Sequence, residues 1–284
     1  MTSRLLFLVI DGYPRKSRDE FDSVGMTLSY KLYTRMLHRY LPDAEVNVWL
    51  PSDTPDLPGG VGLDAYHGIL WTGCNLTIYD ENDPRVTRQI AVARRAYEIG
   101  IPSFGSCWGL QMAVFAAGGR VEANPRGREM GVARRIHLTD AARNHPMMEG
   151  KPPVYNGFIS HDDEVTGLPP NAVHLATNDF TRIQAVTVTH KRGTFWATQY
   201  HPEYDLHEVA RLIVARAPKL IPKGFFKDMD ALMAMVNDYE ALYREPDRKD
   251  LRWKYDIGDD LLDPDLRQVE FRNWVHKVLL PSVK

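Results

Sequence analysis

Cysteine is scarce in this chain of 284 residues, which carries two, Cys74 and Cys107, in no CxxC pairing. That excludes a secreted disulfide scaffold and leaves no zinc or redox motif to read. Net charge is nearly absent as well, with 35 basic against 37 acidic side chains and a formal charge of -2. Such a balance gives no pull toward phosphate backbones or anionic lipid, so no nucleic-acid and no membrane role is expected. Long apolar runs are missing too. The run Leu5 to Ile10 stops after six residues at Asp11-Gly12, too short for a signal-peptide core and far too short to span a bilayer. The expectation is a cytoplasmic protein whose partner is a small molecule or another protein. What is present is an ordinary globular composition, 44% hydrophobic, in a chain long enough to bury roughly three quarters of its unfolded surface. A core with an interior cleft needs no metal or disulfide to hold it.

Short apolar runs alternate with segments of helical period, which predicts an α/β fold, a mainly parallel sheet flanked by helices. Strands are expected at Leu5 to Ile10, Val46 to Leu50, Gly68 to Thr72 and Ile101 to Gly105, with Asp11 to Gly25 as a polar loop. Leu28, Leu32, Met36 or Leu37, and Tyr40 mark one face of a helix, and Val86, Ile90, Ala93 and Tyr97 mark another, which Gly100 closes. The stretch Trp108 to Ala117 is apolar nearly all round, as a buried helix would be. Beyond Gly119 the pattern becomes β-rich, with strands near Val132 to Leu138, Ala172 to Ala176, Ile183 to Thr189 and Thr194 to Tyr200. From Leu206 the period is helical again. The expected division is a catalytic domain over 1–215 and a charged helical extension over 216–284, serving as a cap or a docking surface.

The most informative segment is Ile101-Pro-Ser-Phe-Gly-Ser-Cys-Trp-Gly-Leu-Gln111. It sets Cys107 between Gly105 and Gly109 on a strand-to-helix turn, the G-x-C-x-G form of a nucleophile elbow. A helix N-terminus favours the thiolate, and the free backbone N–H of Trp108 can face a developing oxyanion. The plainer reading makes Cys107 a small buried hydrophobe. A base is offered by the strand that runs into His201-Pro202-Glu203. In extended backbone His201 and Glu203 share a side, so the carboxylate can stand behind the imidazole and fix its tautomer. Alternatively, Glu203 or Asp205 complements the next helix and His201 is a loop residue.

Gly-Ser-Cys107-Trp-Gly-Leu-Gln111, followed 94 residues later by Gln-Tyr-His201-Pro-Glu203, resembles the class I glutamine amidotransferases, especially the glutaminase domain of GMP synthase and its stand-alone relatives. The likeness spans roughly residues 5 to 210. It implies a flavodoxin-like domain with Cys107, His201 and Glu203 as a catalytic triad. It further implies that Gly73, in Trp-Thr-Gly73-Cys74-Asn75, supplies the second oxyanion N–H beside Trp108; a plain turn glycine is the alternative. Cys74 reads as packing. By the same likeness Gln111 holds the amino-acid end of the substrate, and Ser160-His161-Asp162-Asp163-Glu164-Val165 is similar to a substrate-contacting Ser-His-Gly-Asp-x-Val segment. Here Asp162 replaces the glycine, and a carboxylate at that point would repel a free α-carboxylate or attract an amino group.

The implied chemistry is attack of Cys107 on the γ-carbonyl of glutamine or a γ-glutamyl small molecule, through a thioester, with no metal or cofactor. The chain contains neither G-x-x-x-x-G-K-[ST] nor G-x-G-x-x-G, so no ATP-dependent acceptor module is expected in it. Three readings follow: a glutaminase that passes ammonia to a separate synthetase chain, a stand-alone γ-glutamyl hydrolase or peptidase, and a non-catalytic binding module.

Overall fold

The computed structural model describes residues 4–283. Five parallel strands form the centre of a sheet: β1 (Leu6–Ile10), β2 (Glu45–Trp49), β3 (Gly68–Trp71), β4 (Ser103–Ser106) and, late in the chain, β11 (Gly193–Thr198). In β1 the side chains divide by period two. Phe7 and Val9 enter one apolar cluster, and Leu8 and Ile10 enter the cluster on the opposite face. Both faces are therefore covered, which explains why the strand reads as a continuous apolar run.

Helices α1 (Arg15–Ser23) and α2 (Ser29–Tyr40) connect β1 to β2, α3 (Pro84–Ile99) precedes β4, and α4 (Trp108–Ala116) follows it. Gly100 ends α3 in the left-handed conformation, φ 88°, and α4 is buried on every side except at Phe115. Helix α1 corrects the polar loop expected between Asp11 and Gly25. Its nine residues, RKSRDEFDS, contain one large apolar side chain, Phe21. That side chain packs on Tyr13, at 4.9 Å between ring centroids, so tertiary contact supplies what periodicity could not show.

The second half adds β5 (Arg120–Ala123), β6 (Glu129–Leu138), β7 (Val154–His161), β8 (Asp163–Gly167), β9 (Ala172–Thr177) and β10 (Ala185–His190). Strands β10, β9, β6 and β7 extend the sheet antiparallel, giving nine strands in the order β2-β1-β3-β4-β11-β10-β9-β6-β7, while β5 and β8 pair separately. The fold is thus a flavodoxin-like mixed sheet, mostly parallel at its centre and β-rich later.

Helix α5 (Leu206–Leu220) leads to α6 (Met229–Arg244), α7 (Lys249–Tyr255), α8 (Asp259–Leu262), α9 (Pro264–Arg267) and α10 (Val269–Trp274), then a π-helical turn over Val275–Leu279. Helix α6 packs along α5 through Leu232, Val236, Tyr239 and Leu242. The final helices return to the sheet. Phe271, Trp274, Val275 and Leu279 lie in one cluster with Phe7, Val9, Leu70 and Phe104, and the Phe104 and Phe271 rings meet edge-on at 5.1 Å. These residues cover the face of β1, β3 and β4. Trp274→Ala should lower unfolding stability by about 3–5 kcal/mol, the cost of emptying a fully buried indole site. Denaturant melts with an unchanged midpoint would show that this segment is not part of the core.

Candidate active site

The carboxyl ends of β1, β3, β4 and β11 converge at one edge of the sheet, where open α/β sheets bind ligands. Cys107 sits between β4 and α4 with φ 53° and ψ -99°, a backbone conformation that costs a non-glycine residue about 1–3 kcal/mol. Its N–H donates to Thr198 O at 2.7 Å, tying the turn to the end of β11. Cys107 itself carries the strained torsion. The flanking glycines allow close approach instead: a Cβ on Gly105 would stand 2.8 Å from Gly109 Cα, and one on Gly109 would stand 2.9 Å from Trp71 O.

His201 and Glu203 follow β11 and face the same spot. The imidazole Nδ1 lies 2.6 Å from Glu203 Oε1, and the Cys107 sulfur is near enough to favour the charged form of the ring. Both His201 and Glu203 side chains are buried. Burial opposes the imidazolium, but the Glu203 carboxylate and the Cys107 sulfur outweigh it and lift the imidazole to about 10. The next helix is capped by Asp205, whose carboxylate accepts from Glu208 N at 3.0 Å. Glu203 is therefore left for the histidine.

Ser106, Tyr33 and Tyr204 at this site escaped the sequence reading. Ser106 Oγ donates to Glu203 Oε1 at 2.8 Å, and Tyr33 OH donates to Ser106 Oγ at 2.7 Å. Tyr204 stacks on the His201 ring at 4.1 Å with the planes 3° apart. A serine at the end of a buried strand, adjoining Cys107, was the available signal for Ser106; Tyr33 looks like any aromatic on the buried face of α2.

Gly73 follows β3 directly beside the histidine. A Cβ there would lie 2.9 Å from His201 Cε1 and 3.3 Å from Tyr13 OH. Trp108 opens α4, where the first-turn N–H has no intrahelical acceptor, and its indole is anchored by Nε1–H donation to Gln89 Oε1 at 3.0 Å. Gly73→Ala should push the imidazole off the Cys107 sulfur and reduce kcat about a hundredfold while the protein still folds. Steady-state rates alongside circular dichroism check this; a fully active, folded variant would show that there is room at this position.

A cavity of about 150 Å³ opens over Cys107. Gln111, Ser160, His161 and Asp162 all line it, so the structure brings the four expected contact residues together. Gln111 Nε2 donates to Asp163 O at 3.2 Å, and Ser160 O lies 3.8 Å from Cys107 Sγ. His161 belongs to the wall: its Nδ1 meets Asp163 O at 2.8 Å and its Nε2 meets Glu129 Oε2 at 3.1 Å. Glu129 also accepts from Asn178, Thr181 and Gln184. Burial works against that carboxylate, yet these donors hold it below the usual carboxylate range.

Asp162 is not a bare negative charge. It pairs with Arg128, and with Lys223 at 2.9 Å, which overcome its partial burial and lower its carboxyl. Its φ lies outside the left-handed region, so the change from glycine strains nothing. Arg128, missed in the sequence, also donates to Ser160 Oγ at 2.7 Å, and its Nε–H is buried with no partner among the described residues. Arg216 and Lys219 of α5 complete the cationic side of the cavity. Cys74 lines it too, but burial pushes its thiol well up, so it stays protonated. No group of three or more His, Cys, Asp or Glu side chains placed to hold a metal is found among the described residues, and no helix among them is long and apolar enough to cross a membrane.

The fold is flavodoxin-like, with a cysteine raised at the carboxyl edge of its sheet. Residues 29–217 match the family model described as glutamine amidotransferase class-I. The chain belongs to the class I glutamine amidotransferase family. It is 32% identical over 284 residues to a gamma-glutamyl-L-1-hydroxyisopropylamide hydrolase from a Pseudomonas species, covering 99% of this chain and 95% of that one. It is 30% identical over 194 residues to the glutamine-hydrolyzing GMP synthase of Latilactobacillus sakei, covering 66% of this chain and 34% of that much longer protein. Among solved structures, a glutamine amidotransferase from Thermotoga maritima superposes with a TM-score of 0.62 over 98% of this chain and 97% of that one, at 17% identity, a likeness of fold.

Proposed function

We propose that this protein is a free-standing hydrolase that cleaves the γ-amide bond of γ-glutamyl compounds through a thioester on Cys107. The observation that carries the reading is the placing of Cys107 in the wall of the cavity with the buried, hydrogen-bonded pair of His201 and Glu203 beside it. Cys107 attacks the γ-carbonyl carbon as the thiolate, its proton held by His201. The tetrahedral oxyanion is met by the N–H groups of Gly73 and Trp108. Collapse breaks the C–N bond as His201 Nε2 gives its proton to the leaving amine. Water then enters, His201 takes one of its protons, and hydrolysis of the thioester releases glutamate and frees the sulfur. Glu203 keeps Nδ1 protonated throughout. In the same reading Gln111 and the partnerless Nε–H of Arg128 meet the amino-acid end of the substrate, and His161 shapes the wall that holds it.

Two features favour a free-standing hydrolase over a subunit that feeds ammonia to a synthetase. The C-terminal helices, which could have served as a docking arm, bury Phe271, Trp274 and Leu279 on the protein's own sheet. Likeness to the Pseudomonas hydrolase also runs the full length of the chain, through those helices. That relative's name places a small hydroxylated amine as leaving group, and we extend to this chain the same class, γ-glutamyl amides of small amines, with glutamine as the smallest member.

Purified protein is to be incubated alone with glutamine, γ-glutamyl alkylamides and γ-glutamyl dipeptides, and glutamate release measured. Turnover of alkylamides above glutamine, with no added chain, is the expected result. Inertness toward all of them, relieved for glutamine by an ammonia-consuming synthetase, would establish the subunit reading instead.

A further inference from the structure

Resting on the reading of Cys107, His201 and Glu203 given above, we infer that the C-terminal helices form a working part of the active site, with Glu270 and Arg267 as positioning residues that grip the loop carrying His201 and Glu203. In that loop the residues interleaved with the site pair, Tyr200 and Pro202, are the ones held. Tyr200 OH donates to Glu270 Oε1 and accepts from Tyr155 OH at 2.8 Å. Arg267 Nε donates to Pro202 O at 3.3 Å, while its Nη1 donates to Leu261 O and to Leu262 O, the latter at 3.3 Å.

Glu270 is fully buried, and its charge is compensated by Lys151, whose Nζ lies 3.1 Å from Oε2, 3.0 Å from Leu266 O and 4.6 Å from the centroid of the Tyr155 ring. A buried ion pair of this kind holds a fixed geometry because either partner alone would be stranded away from water. The clamp reaches the site by short covalent steps. His201 N–H donates to Phe158 O at 2.7 Å on one side of the loop, and Tyr200 packs on Gly157, where a Cβ would come within 2.8 Å of it. Tyr200 and Pro202 are therefore fixed from β7 and from α9–α10 together, and with them the 2.6 Å contact between His201 Nδ1 and Glu203. Nothing else in the mechanism uses Lys151, Glu270 or Arg267.

Tyr200→Phe tests the inference, since it removes one oxygen and leaves the ring on Gly157 and the Lys151–Glu270 pair in place. The expected result is a kcat lowered about tenfold or more, with KM within about twofold, because misplacement of a reacting group costs rate rather than binding. The alkaline limb of the kcat profile should also move to lower pH, since a longer His201–Glu203 contact weakens the carboxylate's hold on the imidazole proton. Arg267→Met reads the same quantities from the other contact, should Tyr200→Phe fail to fold by circular dichroism. An unchanged kcat, or an alkaline limb left where wild type has it, overturns the inference even if the melting temperature falls. Cys107→Ala is assayed in parallel: activity that survives it refutes the hydrolase mechanism, whereas its loss beside a fully active Tyr200→Phe refutes the clamp alone.

Discussion

Replacing Cys107 with alanine should lower kcat for the proposed γ-glutamyl amide cleavage by about a millionfold, the scale seen when a covalent catalyst loses its nucleophile. No other group can take over. Cys74 shares the cavity, but burial keeps its thiol protonated, and it follows β3 rather than the strained turn that opens α4. The variant should fold normally, because alanine is smaller than the buried cysteine it replaces and brings no new contact. His201→Ala should cost nearly as much, and the double variant no more than either single one, since a nucleophile without its base and a base without its nucleophile fail at the same step. Rates additive in the double variant would mean that the two residues act independently.

Glu203→Gln is expected to lower kcat about a thousandfold with little change in KM, somewhat less than the effect of losing the orienting carboxylate elsewhere. The geometry says why. Two donors, His201 Nδ1 and Ser106 Oγ, converge on Oε1, while Oε2 is buried with no partner among the described residues. The amide oxygen of glutamine should keep the Oε1 position and the amide nitrogen take the empty one, so the tautomer survives and the negative charge is lost. Burial then acts on the imidazole with only the Cys107 sulfur to oppose it. In the proposed mechanism His201 must be protonated to release the amine, so wild-type activity should fall on the alkaline side near pH 10, where the imidazole gives up that proton. Without the carboxylate this limb moves to lower pH. A limb that stays put in Glu203→Gln would assign it to a different group.

Much of this site could be read before any coordinates, because its spacing is local. Gly105, Cys107 and Gly109 mark one turn, and the alternation of His201 with Glu203 marks one extended segment; both signals survive in sequence since neighbours along the chain decide them. The residues that were missed are remote in sequence. Ser106 matters through a carboxylate 97 positions away, and Arg128 through Ser160 and Asp162 across the β6–β7 pair. The same contrast holds for the fold. Buried parallel strands announced themselves as apolar runs, whereas α1 has one apolar contact to show, and β7 and β8 carry the polar residues of the cavity wall, which blurs their alternation. Asp162 shows the limit from another side: its charge was legible, but the cations that neutralise it come from β6's approach and from the α5–α6 connection.

The most direct measurement is the mass of the enzyme caught in the act. Protein mixed with a γ-glutamyl alkylamide and quenched in acid within the first turnovers should carry one glutamyl group on the peptide containing Cys107, lost again in neutral hydroxylamine and absent in Cys107→Ala. Steady release of glutamate by wild type with no such adduct on that peptide, or an equal adduct on a peptide lacking Cys107, would contradict the account.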